Sequence, residues 1–245
     1  MEARNKERFV KNIFNGIGIY LFLSFAACIM VIFRKIYFGG AGYSFLIWNL
    51  FLAWIPLILA ASIGLIYRLH KRSILKNLYI LILGIGWFAF YPNCAYLITD
   101  YIHISGIKYY YSQIGYVMNF DIWYDFVLVS LFVLTGFLLG FISLYLLQII
   151  ISDKFNKALG WMFVIIVLVL SSFGVYLGRF VRWNSWDLVF NLKVIIKSVL
   201  LDSKHYAAEF TVLLSLFLIL IYFAIYYIAN LNKLSYMLYK RNKKF

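Results

Sequence analysis

Six apolar stretches, each at least 20 residues long, constrain this chain more than any other feature: about residues 13–33, 45–66, 78–97, 126–151, 158–177 and 210–229. A bilayer core of about 30 Å is crossed by roughly 20 residues at about 1.5 Å rise each. In hydrocarbon each backbone polar group must be bonded within its own segment, so runs of this kind become helices. The expected fold is all-α: a polytopic membrane bundle of about six transmembrane helices, forming one transmembrane domain over residues 1–245. Composition agrees, since 65% of residues are apolar and only 13% are charged. A water-soluble domain clothes itself with about 25% charged residues, so lipid must supply much of the solvent here. The two cysteines, Cys28 and Cys94, fall in or beside apolar segments and suggest no disulfide framework. Phe25-Ala26-Ala27-Cys28 has a faint likeness to a lipidation box. Ile29–Phe33 stay apolar beyond it, which favours an uncleaved first span.

The net charge of +14 raises the question of nucleic acid, and its distribution answers it. If the spans alternate in direction, one side of the membrane holds 15 Lys and Arg, in residues 4–11, 68–76, 154–157 and 233–244. The other side holds eight: Arg34, Lys35, Lys108, Arg179, Arg182, Lys193, Lys197 and Lys204. Acidic residues divide the opposite way, which leaves +12 on the first side and +2 on the second. By the positive-inside rule both termini are expected in the cytoplasm of a bacterial cell membrane. The basic excess is then a topology signal and an attraction to anionic headgroups, with the lipid bilayer as partner and no nucleic acid.

Polar residues beside spans are costly, so their placement carries the functional information. Three segments share the expected outer face: Asn93 to His103, Asn119 to Asp125, and Arg179 to Asp187. Asp100 and His103 stand three apart, on one face of a continuing helix. Asp121 and Asp125 open the fourth span, where the helix dipole favours carboxylates. Arg179 and Arg182 close the fifth, where it favours cations, and Trp183 and Trp186 suit an interfacial belt. Pro92 is expected to kink the third span, with Asn93 and Thr99 satisfying backbone groups it releases. Gly136, Gly140 and Ser143 form a small-residue stripe suited to close helix packing. Between the fifth and sixth spans, apolar residues at helical spacing over 188–201 suggest an interfacial amphipathic helix or a lid.

The same residues carry a resemblance. Pro92-Asn93, Tyr96-Leu97-Ile98-Thr99-Asp100 with His103, Trp123-Tyr124-Asp125, and Gly178-Arg179-Phe180 with Arg182-Trp183-Asn184-Ser185-Trp186-Asp187 resemble the bacterial membrane family known as domain of unknown function 1361. Ala95 departs from the Asn-x-Pro-Tyr pattern expected there. The resemblance implies a polytopic membrane protein and brings no activity with it.

Function must therefore be argued from the polar cluster. The leading expectation is a site at the outer interface that binds or processes a lipid-linked or envelope substrate. Asp100, His103, Asp125 and Asp187 would supply acid–base groups or hard metal ligands. Asn93, Arg179, Arg182, Trp183, Asn184 and Trp186 would bind substrate, the arginines gripping phosphate. No His-Glu-x-x-His or comparable signature is present, so metal and cofactor stay unassigned. The alternative is an accessory or scaffold subunit with a membrane-protein partner. A transporter or channel ranks below both, because the mid-span positions are nearly free of charge and no inverted repeat is evident.

Overall fold

Lipid-length apolar runs leave the backbone no partner but itself, and the computed structural model shows the outcome. It describes residues 2–39, 42–68, 73–107, 109–113, 115–182 and 204–242. Among these, six helical segments are long and apolar enough to cross a membrane. Helix α1 (Glu2–Tyr37) contributes Ile17–Tyr37, and α2 (Ser44–Tyr67) crosses along its whole length. The third span, Ile74–His103, is α3 (Ile74–Phe90), a short α4 (Pro92–Tyr96) and a 3₁₀ segment (Leu97–His103). Helix α5 (Phe120–Lys154) is the fourth span; α6 (Lys157–Tyr176), continued by a π-helical turn (Leu177–Val181), is the fifth. Helix α7 (Lys204–Asn242) contributes His205–Leu231. The chain is an all-α membrane bundle.

The third span is not one continuous helix, and the sequence explains why. Pro92 has no N–H to continue the ladder, and its ring opposes the preceding turn. Helix α3 accordingly stops at Phe90, and the chain re-enters helix at Pro92. The amide of Asn93 donates to the Phe90 carbonyl at 2.8 Å, and Thr99 Oγ1 donates to the Tyr96 carbonyl at 2.6 Å. Asn93 thus serves the backbone at the break, whereas Thr99 bonds a carbonyl beyond the proline, at the start of the 3₁₀ segment.

Two compact units divide the chain, Met1–Ser143 and Leu144–Phe245, the boundary falling within α5. In the first, Leu46, Leu50, Ala53, Leu57, Ala60 and Gly64 form one buried stripe of α2, spaced alternately four and three. The small-residue stripe of α5 receives the third span there. A Cβ added at Gly140 would lie 2.7 Å from Cys94 Cβ, and one at Gly136 would collide with Leu97 Cδ1. Ser143 completes the seam by accepting a 2.7 Å hydrogen bond from Trp87 Nε1. In the second unit α6 and α7 pack through aromatic rings: Trp161 lies parallel to Phe223 at 4.7 Å, and Phe180 meets Phe210 edge-on at 5.1 Å. Tyr222 donates to Gln148 there at 2.7 Å, which satisfies a buried amide oxygen.

Candidate functional site

In the first unit, the end of α1, the start of α2, the end of the third span and the start of α5 share a polar centre. The Arg34 guanidinium on α1 grips both Asp125 oxygens on α5, Nε to Oδ1 at 3.0 Å and Nη2 to Oδ2 at 3.0 Å. Tyr43, just before α2, donates its hydroxyl to Asp125 Oδ2 at 3.0 Å. A further Arg34 nitrogen donates to the Gly39 carbonyl. The pair is largely enclosed, with side-chain exposures of 16% for Arg34 and 6% for Asp125. Two-pronged geometry of this sort is the strong form of an ion pair. Burial first, then the charge of Asp125 and its hydrogen bond, push the Tyr43 phenol up from 10.0 to about 12. Tyr109 also stands near this centre: burial, followed by the charge of Asp125, raises its phenol. Its buried hydroxyl has no hydrogen-bond partner among the described residues.

A second carboxylate, that of Asp100, is held by α2 itself. Asp100 is 0% exposed, in the 3₁₀ segment, where residues three apart eclipse one another. Asn49 Nδ2, on α2, donates to Asp100 Oδ2 at 2.9 Å. His103 Nε2 lies 3.9 Å from Asp100 Oδ1, and the histidine side chain keeps 40% of its surface exposed. Phe45 of α2 covers the imidazole, ring centres 4.4 Å apart. The result is a buried acid, held from one side, with an accessible histidine on the other. That arrangement sets an accessible imidazole beside a buried carboxylate.

The candidates read from sequence fare differently. Asp100 and His103 come together as their spacing implied. Asp125 does more than open its helix: both its oxygens are taken up by Arg34 and Tyr43. Asn93 bonds the backbone at the Pro92 break. In the second unit Arg179 lies on the π-helical turn, and Arg182 follows in left-handed conformation (φ 61°), its N–H bonded to the Leu177 carbonyl. Trp183, Asn184, Trp186 and Asp187, with the segment 188–201, lie outside the described residues. Among the described residues no cluster of three or more His, Cys, Asp or Glu side chains offers a metal cage.

Sequence reasoning missed Arg34, Tyr43, Asn49 and Phe45. One signal pointed to Arg34, an arginine at the end of a span on the side poorer in positive charge. The other three are ordinary residues of an apolar helix and its entry, and only the packing shows their partners.

A family model described as "Protein of unknown function (DUF1361)" matches residues 48–222, well over half of the chain. The chain belongs to this family. No curated protein and no solved structure matches it. The DUF1361 segment begins on α2 and ends on α7, so it holds Asn49, Asp100, His103 and Asp125. Arg34, Tyr43 and Phe45 precede it. Asn49 and His103, which meet the Asp100 carboxylate, lie with it inside the DUF1361 segment, whereas Arg34 and Tyr43, which hold Asp125, lie outside.

Proposed function

We propose that this multi-pass protein of a bacterial cell membrane, termini in the cytoplasm, binds or processes a lipid-linked or envelope substrate at its outer interface. The observation that carries the reading is the fully buried Asp100, held by Asn49 and facing the accessible His103. Burying a carboxylate at the edge of a membrane is expensive, and a group kept there at such cost is a functional candidate. His103 is the group open to a substrate, serving as proton acceptor or donor at the level of the lipid headgroups. Asp100 positions it. Asp125 acts through structure, tying α1 to α5 and so shaping the neighbouring surface. Arg179 and Arg182, with Trp183, Asn184, Trp186 and Asp187, remain candidates for gripping an anionic group.

Complementation of a strain lacking the gene tests this. His103→Ala and Asp100→Asn are expected to fail to restore the parental phenotype at normal membrane levels. The asparagine keeps one oxygen to accept from Asn49 while removing the charge and turning the other acceptor into an amide donor. Full restoration by both variants would remove the proposal.

A further inference from the structure

Between the third and fourth spans the chain forms a small antiparallel hairpin, Tyr110–Tyr111 paired with Gly115–Tyr116. Gly115 supplies its left-handed residue (φ 86°), a conformation that other residues adopt only under strain. The base is fastened to α5. The Val117 N–H donates to the Tyr109 carbonyl at 2.8 Å, and Trp123 Nε1 donates to the Val117 carbonyl at 3.0 Å. The Tyr109 ring packs on Trp123 at 5.5 Å and meets Phe126 edge-on at 6.4 Å. Trp123 and Phe126 are three and six residues into α5, so they lie roughly 5 to 9 Å below its first residue at about 1.5 Å rise each. From that base, three extended residues reach at most about 10 Å. The hairpin therefore rises at most about 1 to 5 Å above the first residue of α5, less than the depth of a headgroup layer, about 5 to 7 Å.

Its chemistry points to the same place. Lys108 is the single charged residue from 104 to 120. Tyr116 is 70% exposed, Met118 97% and Phe120 70%, an apolar and aromatic surface adjoining the lipid-facing wall of the spans. Tyrosines favour this boundary, where the ring meets acyl chain and the hydroxyl meets water or phosphate.

We infer that the Tyr110–Tyr116 hairpin docks in the phospholipid headgroup layer, as an uncharged aromatic anchor that holds Tyr109 beside the Arg34–Asp125 pair. The lipid surface is its partner, and with so little charge its insertion does not depend on anionic headgroups. The inference stands whether or not His103 has a chemical role.

Nitroxide labels test it in vesicles of phosphatidylcholine alone. Single cysteines replace Tyr116 and Met118 in a chain whose Cys28 and Cys94 are alanine, with Leu81→Cys as the lipid-facing reference and Ser73→Cys as the aqueous one. Collision with oxygen relative to a water-soluble nickel chelate is expected to place positions 116 and 118 between the two references. Nickel accessibility equal to that at position 73 would overturn the inference. So would a value equal to that at position 81, or shielding from both reagents, which would mean burial against protein.

Discussion

Asp125, read from sequence as an acid–base candidate, has both oxygens bonded by Arg34 and Tyr43, a geometry that suits a tether. Helix α1 is sparsely packed, only 11% of its membrane window being buried. The Arg34–Asp125 pair and the Tyr124 hydroxyl bond to the Met30 carbonyl at 2.9 Å fasten its end to α5. Removing one member of an enclosed pair strands the other, so Arg34→Met or Asp125→Leu alone should cost about 3–5 kcal/mol. The double replacement Arg34→Met with Asp125→Leu should cost much less, because no charge is left alone. Thermal unfolding of the four proteins in one detergent closes the cycle; equal losses from the single and double variants would refute the tether. Tyr43 adds a pH dependence. Its raised phenol keeps its proton in the folded chain between pH 10.0 and about 12, where the unfolded chain has released its own. The folded state then binds more protons, so stability holds below pH 10.0 and falls as pH rises toward about 12. Tyr43→Phe should lose this part of the slope, which melting series on both proteins would measure.

At the scale of elements, the third span shows what sequence can and cannot convey. Pro92 announced a break, and Asn93 was legible as its remedy because it adjoins the proline, while Thr99 serves the 3₁₀ segment instead. The stripe of Gly136, Gly140 and Ser143 announced close packing, but not that the broken end of the third span would fill it. That knowledge depends on which helices meet, and periodicity carries none of it. The hairpin was invisible for a different reason: two-residue strands have no alternation to detect. The packing at the stripe yields a graded test. Gly140→Ala sets a methyl against Cys94 Cβ, and overpacking of this sort should cost about 1–3 kcal/mol. Gly84→Ala in α3 meets no atom within 4 Å and should be neutral or gain up to about 1 kcal/mol from helix propensity. Melting temperatures in detergent should therefore move in different directions. Equal effects would mean that the seam against α5 is looser than its geometry.

For the whole molecule, length and hydropathy suffice to read six membrane-crossing segments, since a bilayer imposes one dimension on each of them. Orientation rests on charge alone. With 15 Lys and Arg on one side and eight on the other if the spans alternate, the positive-inside rule would put the Asp100 and Asp125 centres outside, the orientation proposed above. The candidate site was only half legible. Asp100 and His103 are neighbours along the chain, whereas Asn49 and Arg34 reach their carboxylates across 51 and 91 residues. Every functional reading above depends on that orientation, so it needs its own measurement. In a chain with Cys28 and Cys94 changed to alanine, cysteine is placed at exposed Ser112 in the hairpin turn or at exposed Ser73 before α3. A membrane-impermeant maleimide applied to intact cells should label position 112 and leave position 73 unmodified until the cells are broken. The opposite pattern would put His103 in the cytoplasm, and a lipid-linked substrate of the outer leaflet would then be out of its reach.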